Sequence, residues 1–111
     1  MGVLTYAGVD YEFDDRLLAH LKIAIVTKLR VKEGFLLNWQ IPPERGSGRA
    51  SIWISAEIPL QFRFGGSKPP ELNRVWLDAL ARSSHGIRGM VAMSEAEATD
   101  YANTAGRSTA P

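Results

Sequence analysis

Phe62–Trp76, FRFGGSKPPELNRVW in one-letter code, combines an aromatic strand, a tight basic loop and the start of a helix. Gly65 and Gly66 allow a sharp turn of the backbone, because glycine has no Cβ atom. The Pro69-Pro70 pair suits the first turn of a helix, where a missing N–H group costs nothing. We therefore predict a helix over about residues 70–83 that follows closely on a strand.

The remaining elements are predicted from the spacing of apolar residues. Alternation over 3–7 and 9–13 indicates two strands joined by a hairpin turn at Ala7-Gly8. Helical spacing of leucine and isoleucine predicts a helix over about 15–32, which Asp14-Asp15 would cap and Gly34 would end. Further strands are predicted over 35–41, 51–55 and 60–64, with an optional short strand within 87–93.

The resulting element order is β-β-α-β-β-β-α, with the optional final strand after it. This order predicts the α+β class, with a mainly antiparallel sheet and two helices on one of its faces. We expect a single α+β domain over residues 1–93 and a flexible or weakly helical tail over 94–111, which is small, polar and rich in alanine. The predicted core consists of Leu21, Ile25, Leu37, Trp39, Ile54, Phe62, Leu72 and Trp76.

Composition limits the classes of function. A chain of 111 residues, 45% hydrophobic and 23% charged, is typical of one soluble domain, and its net charge of +1 does not by itself indicate nucleic-acid binding. The absence of cysteine excludes disulfides, thiolate nucleophiles and cysteine metal sites. The longest apolar run, Ile23–Val26, is far too short to cross a membrane, and no signal-peptide pattern is present. We expect a cytoplasmic protein that uses no cofactor.

Four segments carry a resemblance to a known family: Met1–Tyr6, Phe13–Leu21, the Ile52-Trp53 pair and Phe62–Trp76. The family is a group of small actinobacterial proteins of unassigned function, and the resemblance covers about residues 1–93. Some of its members carry the automatically assigned name ATP-dependent DNA ligase. Adenylation by such ligases needs a Lys-x-Asp-Gly motif, which this chain lacks. The resemblance therefore implies no catalytic residues.

The loop after the aromatic strand is a candidate site for an anion or a nucleic acid. A helix N-terminus offers free N–H groups and the positive end of the helix dipole, both of which favour phosphate or carboxylate. The alternative is a structural turn, because the backbone preferences of Gly-Gly and Pro-Pro are enough to explain their presence without a ligand. The candidate binding residues are Arg63, Ser67, Lys68, Asn73 and Arg74.

A second candidate surface centres on Trp53, which is out of phase with Ile52 and Ile54 and is therefore predicted on the polar face of the sheet. Gln61 and Arg63 are predicted on the same face. Because tryptophan is enriched at interfaces, we expect this surface to bind a second copy of the chain or another protein. Two alternatives stay open: stacking on nucleic-acid bases, and burial of the tryptophan by the C-terminal tail.

Other polar groups carry weaker signals. His20 is predicted on the polar side of the first helix, and neither it nor His85 has the spacing of a metal site. The acidic cluster within 10–15 has the chemistry for acid–base work or cation binding, but it also suits an edge strand and a helix cap. The basic residues within 28–32 suit either an acidic partner or a solvated helix end.

No set of nucleophile, base and orienting group can be assembled from these residues, so we predict that the chain is not an enzyme. The favoured hypothesis is a small non-catalytic interaction module that acts through self-association, as a homodimer or other homo-oligomer, or through a protein partner. The alternative is an accessory module that binds an anionic ligand or nucleic acid and is linked to DNA repair or ligation. A steep salt dependence of DNA binding would favour the alternative.

Overall fold

Six strands form two separate three-stranded sheets in the computed structural model, which describes residues 1–108. The first sheet is antiparallel throughout and has the order β2-β1-β5, from β1 (Gly2–Tyr6), β2 (Val9–Phe13) and β5 (Leu60–Arg63). The second has the order β4-β3-β6, from β3 (Phe35–Gln40), β4 (Arg49–Ile54) and β6 (Met90–Val91), and its β3–β6 pair is parallel. The α+β class is confirmed, but the predicted single sheet is wrong.

Three helices are present among the described residues, where the sequence predicts two. They are α1 (Asp15–Arg30), α2 (Arg74–Ser83) and α3 (Glu95–Ser108), and a turn of 3₁₀ helix covers Pro43–Arg45. The third helix lies in the segment that the sequence predicts as a flexible or weakly helical tail, of which residues 109–111 lie outside the described part. No helix within the described residues has the length and apolar character needed to cross a membrane.

The opening hairpin is confirmed, and its register pairs Tyr6 with Val9 around the Ala7-Gly8 turn. Both turn residues have positive φ, 52° for Ala7 and 79° for Gly8. Positive φ at both central positions is the geometry of a type I′ turn, whose twist matches that of the flanking strands. The turn thus fixes the register of β1 and β2.

Helix α1 begins as predicted but ends differently. The Asp14 carboxylate accepts the N–H groups of Arg16 and Leu17, each at 3.2 Å, which caps the first turn. At the other end, Lys32 and Glu33 donate to Leu29 and Lys28, at 3.0 and 3.2 Å.

This pair of bonds forms a Schellman motif whose left-handed residue is Lys32, with φ 57°. The prediction that Gly34 ends the helix is therefore wrong. The sequence predicts Gly34 at the left-handed position that ends the helix, but in the structure Lys32 occupies it.

Helix α2 begins at Arg74, four residues later than predicted, because Asn73 is its cap. The Asn73 side-chain oxygen accepts the N–H groups of Val75 and Trp76, at 2.9 and 3.2 Å. Pro69 and Pro70 lie in the preceding loop and are not part of the helix. Leu72 lies before the cap with 52% of its surface exposed, so its predicted place in the core is wrong.

One hydrophobic core joins both sheets and all three helices. Trp39 of β3 makes edge contacts with Tyr11 and Phe13 of β2, with ring centroids 5.3 and 5.2 Å apart, and so links the two sheets. Among the predicted core residues, Trp39 and Phe62 are half-buried against this cluster, while five are fully buried. These five are Leu21, Ile25, Leu37, Ile54 and Trp76.

Candidate functional site

Trp53 projects from the outer face of the second sheet, and 61% of its surface is exposed. Its ring leans on the backbone of Gly34, where an added Cβ would lie 2.8 Å from the Cζ2 atom of the ring. The absence of a side chain at Gly34 therefore lets the indole lie against the sheet. The position of Trp53 on the face opposite the core is confirmed.

Strand β4, which carries Trp53, lies at the edge of its sheet. It pairs only with β3 among the described strands, with the register Phe35 to Ile54 and Gln40 to Arg49. Its side chains alternate strictly, since residues 49, 51 and 53 are exposed while 50, 52 and 54 are half-buried or buried. An edge strand presents backbone donors and acceptors that another strand can use.

Gln61 and Arg63, the other predicted interface residues, lie in the first sheet and do not share a sheet face with Trp53. Both are exposed on β5, where they pair with Thr5 and Val3 of β1. Strands β4 and β5 follow each other in the chain but do not pair, because they belong to different sheets. The prediction that Arg63 and Trp53 lie on one sheet face is therefore wrong.

The basic loop after β5 is held by a carboxylate of its own chain. Asp15, in the first turn of α1, accepts the N–H groups of Gly65 and Gly66, at 3.0 and 3.2 Å. These N–H groups are thus already engaged. Ser67 and Lys68 instead line a shallow cavity of about 360 Å³ between the loop and α1.

The walls of this cavity are mixed in character. Lys22 of α1 lies over the ring of Phe64, 5.7 Å from its centroid, and Leu72 and Ile23 add apolar surface. The cavity therefore combines two lysines, the Asp15 carboxylate and an apolar wall; the lysines and the apolar wall are the chemistry that an organic anion would need.

Asn73 and Arg74 have separate surroundings. The Asn73 side chain caps α2 with its oxygen and donates through Nδ2 to Glu95 at 2.7 Å. Arg74 lines a wider groove between α1 and α2. Asp78, one helical turn after Arg74, forms an ion pair with Arg82 at 3.1 Å.

Residues 1–95 match a domain of unknown function, DUF7882, which covers most of the 111-residue chain. The chain belongs to the DUF7882 family. Comparison with curated proteins gives no match, and comparison with solved structures gives none. The expectation of a family without an assigned function is thereby confirmed. The match ends at Glu95, the first residue of α3, so both sheets and the first two helices lie within it.

A polar cluster of this DUF7882 domain centres on His20, which is fully buried and not on the polar side of α1 as predicted. Its Nδ1 atom donates to the carbonyl of Arg16 at 2.7 Å, and its Nε2 atom accepts the N–H of Asn73 at 2.8 Å. Its ring stacks on Trp76, with centroids 4.3 Å apart. The two bonds fix the Nδ1–H tautomer, because a backbone carbonyl only accepts and a backbone N–H only donates.

Glu95 connects this cluster to α3. Its carboxylate accepts hydrogen bonds from the Arg16 guanidinium and from Asn73. The Arg16 bond, and after it the Asn73 bond, holds the pKa of Glu95 below its ordinary value of 4.5, and the same ion pair raises the pKa of Arg16. Within the described residues, no buried side-chain nitrogen or oxygen lacks a hydrogen-bond partner, which is the arrangement of a structural clamp.

Sequence reasoning missed this cluster, although part of it has a readable signal. Ser94 and Glu97 form a capping box, in which the Ser94 N–H donates to Glu97 at 2.8 Å and the Glu97 N–H to Ser94 at 3.1 Å. The Ser-x-x-Glu pattern is visible in the sequence and predicts a helix start at this position. No group of three histidine, aspartate or glutamate side chains suited to a metal ion occurs in the described part of the chain.

Proposed function

We propose that this DUF7882 protein is a small non-catalytic interaction module that acts through self-association or through a protein partner. The observation that carries the proposal is the exposure of Trp53 on β4, an edge strand whose outer side has no partner among the described strands. Tryptophan combines a large apolar area with one N–H donor, and it is enriched among the residues that dominate interface energies.

Other polar groups of the domain support a non-catalytic role. The buried histidine is engaged at both ring nitrogens, and the Glu95 carboxylate already holds two donors. A general acid or base must reach a substrate proton, which the fully buried histidine cannot do without breaking the cluster. The sheet edge with its aromatic side chain is a surface that stays available for recognition.

Sedimentation at a series of protein concentrations tests the proposal. We expect wild type to show a concentration-dependent shift from monomer to dimer and Trp53→Ala to shift toward monomer. Ile87→Ala is a matched control, because Ile87 is a fully exposed apolar residue outside β4. A wild type that stays monomeric at every concentration would contradict self-association and leave only a different protein as the partner.

The second candidate function is an accessory module that binds an anionic ligand or nucleic acid. The cavity with Lys22, Ser67 and Lys68 favours it, and so does the sequence resemblance to actinobacterial proteins of which some are named ATP-dependent DNA ligase. If phosphates contact both Lys68 in the cavity and Arg74 in the groove between α1 and α2, Lys68→Ala with Arg74→Ala should weaken DNA binding and reduce its salt slope by about two units.

The control for this experiment is Arg30→Ala with Arg88→Ala, which removes the same charge away from the loop. Equal weakening in both double variants would show a general charge effect, and no binding by wild type at low salt would exclude the nucleic-acid function.

A further inference from the structure

We infer that two copies of the chain pair through β4 in an antiparallel, two-fold symmetric arrangement centred on Ser51. In this register, Trp53 of each copy lies opposite Arg49 of the other, and Ser51 lies opposite itself. The inference rests on the proposed function. It specifies that the exposed edge of β4 binds the same strand of a second copy of the chain.

The hydrogen bonds of β3 determine which backbone groups of β4 are available. Ile41 donates to Gly48 at 2.8 Å, one step beyond the Gln40–Arg49 pair of the ladder. The Asn38 carbonyl, opposite Ser51, accepts from Ala92 at 2.8 Å and thus points away from β4.

Hydrogen-bonded pairs alternate in an antiparallel ladder, so residues 50, 52 and 54 bond to β3. The N–H and C=O groups of Arg49, Ser51 and Trp53 therefore point to the free edge. These are the backbone groups that a register centred on Ser51 would pair with each other.

The side chains agree with the same register. Residues 49, 51 and 53 share the outer face, so pairing places the two arginines beside the two tryptophans with the serines between them. A guanidinium beside an indole is a favourable cation–π pair. Arg49 has no ion-pair partner among the side chains that the structure describes, through Thr104, and is thus available.

The other long edge of the fold is less suited to self-pairing. Strand β2 also lies at a sheet edge, but its outward side chains include Asp10 and Glu12. A two-fold pairing centred on Tyr11 would place these acids opposite each other, and like charges in that position destabilise a sheet. A second copy of β4 therefore complements β4 better than β2 complements itself.

A pairing of six residues a side buries a small area, so the dimer should be weak and depend on concentration. Cross-linking tests its register, because the chain has no cysteine to interfere. Ser51→Cys should give a covalent dimer with a short bis-maleimide, since the two residues would face each other across the axis. Gln40→Cys, exposed on the same face of β3 but far from the axis, should not.

A charge reversal gives an independent readout that needs no cysteine. Arg49→Glu should raise the dimer dissociation constant by roughly tenfold, since two symmetry-related cation–π contacts are lost. Arg30→Glu makes the same charge change at the end of α1 and should leave the constant unchanged.

The outcomes separate the register from the proposed function. A wild-type dimer that neither cross-links through Ser51→Cys nor weakens with Arg49→Glu would overturn the register while leaving self-association intact. A wild-type monomer at all concentrations would overturn both. Weakening by Arg49→Glu together with cross-linking at position 51 alone would establish the arrangement.

Discussion

The imidazole of His20 accepts the backbone N–H of Asn73 at 2.8 Å, and this bond joins the middle of α1 to the residue that caps α2. The other ring nitrogen donates to Arg16, so the histidine has no spare hydrogen-bonding capacity. Its position is set by a close fit, because its ring also stacks on Trp76. A buried, neutral histidine thus connects α1 to the start of α2 through its hydrogen bonds and its ring contact.

Replacement of this histidine should therefore destabilise the fold. His20→Leu keeps the volume but leaves the Asn73 N–H without its acceptor, which should cost about 1–3 kcal/mol in the free energy of unfolding. His85→Leu is the control, because His85 is exposed and should change stability by less than about 0.5 kcal/mol. Urea denaturation measures both, and equal effects would contradict the structural role of His20.

The two tryptophans on α2 and β4 should behave in opposite ways. Trp76 is 3% exposed and donates from Nε1 to the Met93 carbonyl at 2.9 Å, so Trp76→Ala should cost about 3–5 kcal/mol. Trp53→Ala should change the stability of the monomer by about 0.5 kcal/mol or less, because the side chain is largely wet. Thermal melts at low protein concentration make the comparison, and similar losses in both variants would contradict the burial difference.

Local patterns were the part of the fold that the sequence predicted well. Alternation found the hairpin and β3, because a strand with one buried face must alternate. The phase of Trp53 against Ile52 and Ile54 correctly gave its outward position. The division into two sheets was missed, since periodicity states which face of a strand is buried but not which strand lies beside it.

Sequence analysis missed the polar cluster around His20 for a different reason. His20 lies at the margin of the apolar face of α1, and only the distant Asn73 and Trp76 decide that it is buried. Likewise, Gly34 carries the usual signal of a helix end, but here its missing Cβ makes room for the Trp53 ring. Residue type alone does not distinguish such roles, because each depends on a neighbour far along the chain.

The end of α1 offers a stabilising substitution. Lys32 has φ 57°, a conformation that an L-residue with a Cβ adopts at a cost and that glycine adopts freely. Lys32→Gly should therefore raise the free energy of unfolding by about 0.5–1 kcal/mol. This net gain already allows for the extra conformational entropy that glycine gives the unfolded chain. Lys22→Gly, within the helix, should instead lower it by about 1 kcal/mol. Chemical denaturation that shows the same sign for both would contradict the Schellman geometry.

The Glu95 carboxylate should make the docking of α3 sensitive to acid. Its pKa is lowered in the fold by Arg16 first and Asn73 second, so the stabilisation is present above the ordinary pKa of 4.5 and is lost as the pH falls through the lowered value. We expect Glu95→Gln to be less stable than wild type at pH 7, with a smaller further loss on acidification. Melting temperatures from pH 7 to about pH 3 test this. Parallel curves would contradict the contribution of the ion pair.

Removal of α3 tests two opposite predictions about stability, one from the composition of the segment and one from its contacts in the structure. The composition of 94–111 predicts that truncation after Met93 leaves the melting temperature nearly unchanged, since large apolar residues are scarce. The structure predicts a clear loss, because Ala98 is fully buried and Tyr101 packs against the core.

A point variant separates the loss of docking from truncation itself. Ala98→Asp places a charge in the contact between α3 and the rest of the fold and should lower the melting temperature by a similar amount, because an unpaired buried carboxylate is costly. Thr99→Asp is the matched control, since Thr99 is exposed on the next position of the same helix. If truncation and Ala98→Asp both leave the melting curve unchanged, α3 contributes nothing to stability and residues 1–93 are the complete folding unit.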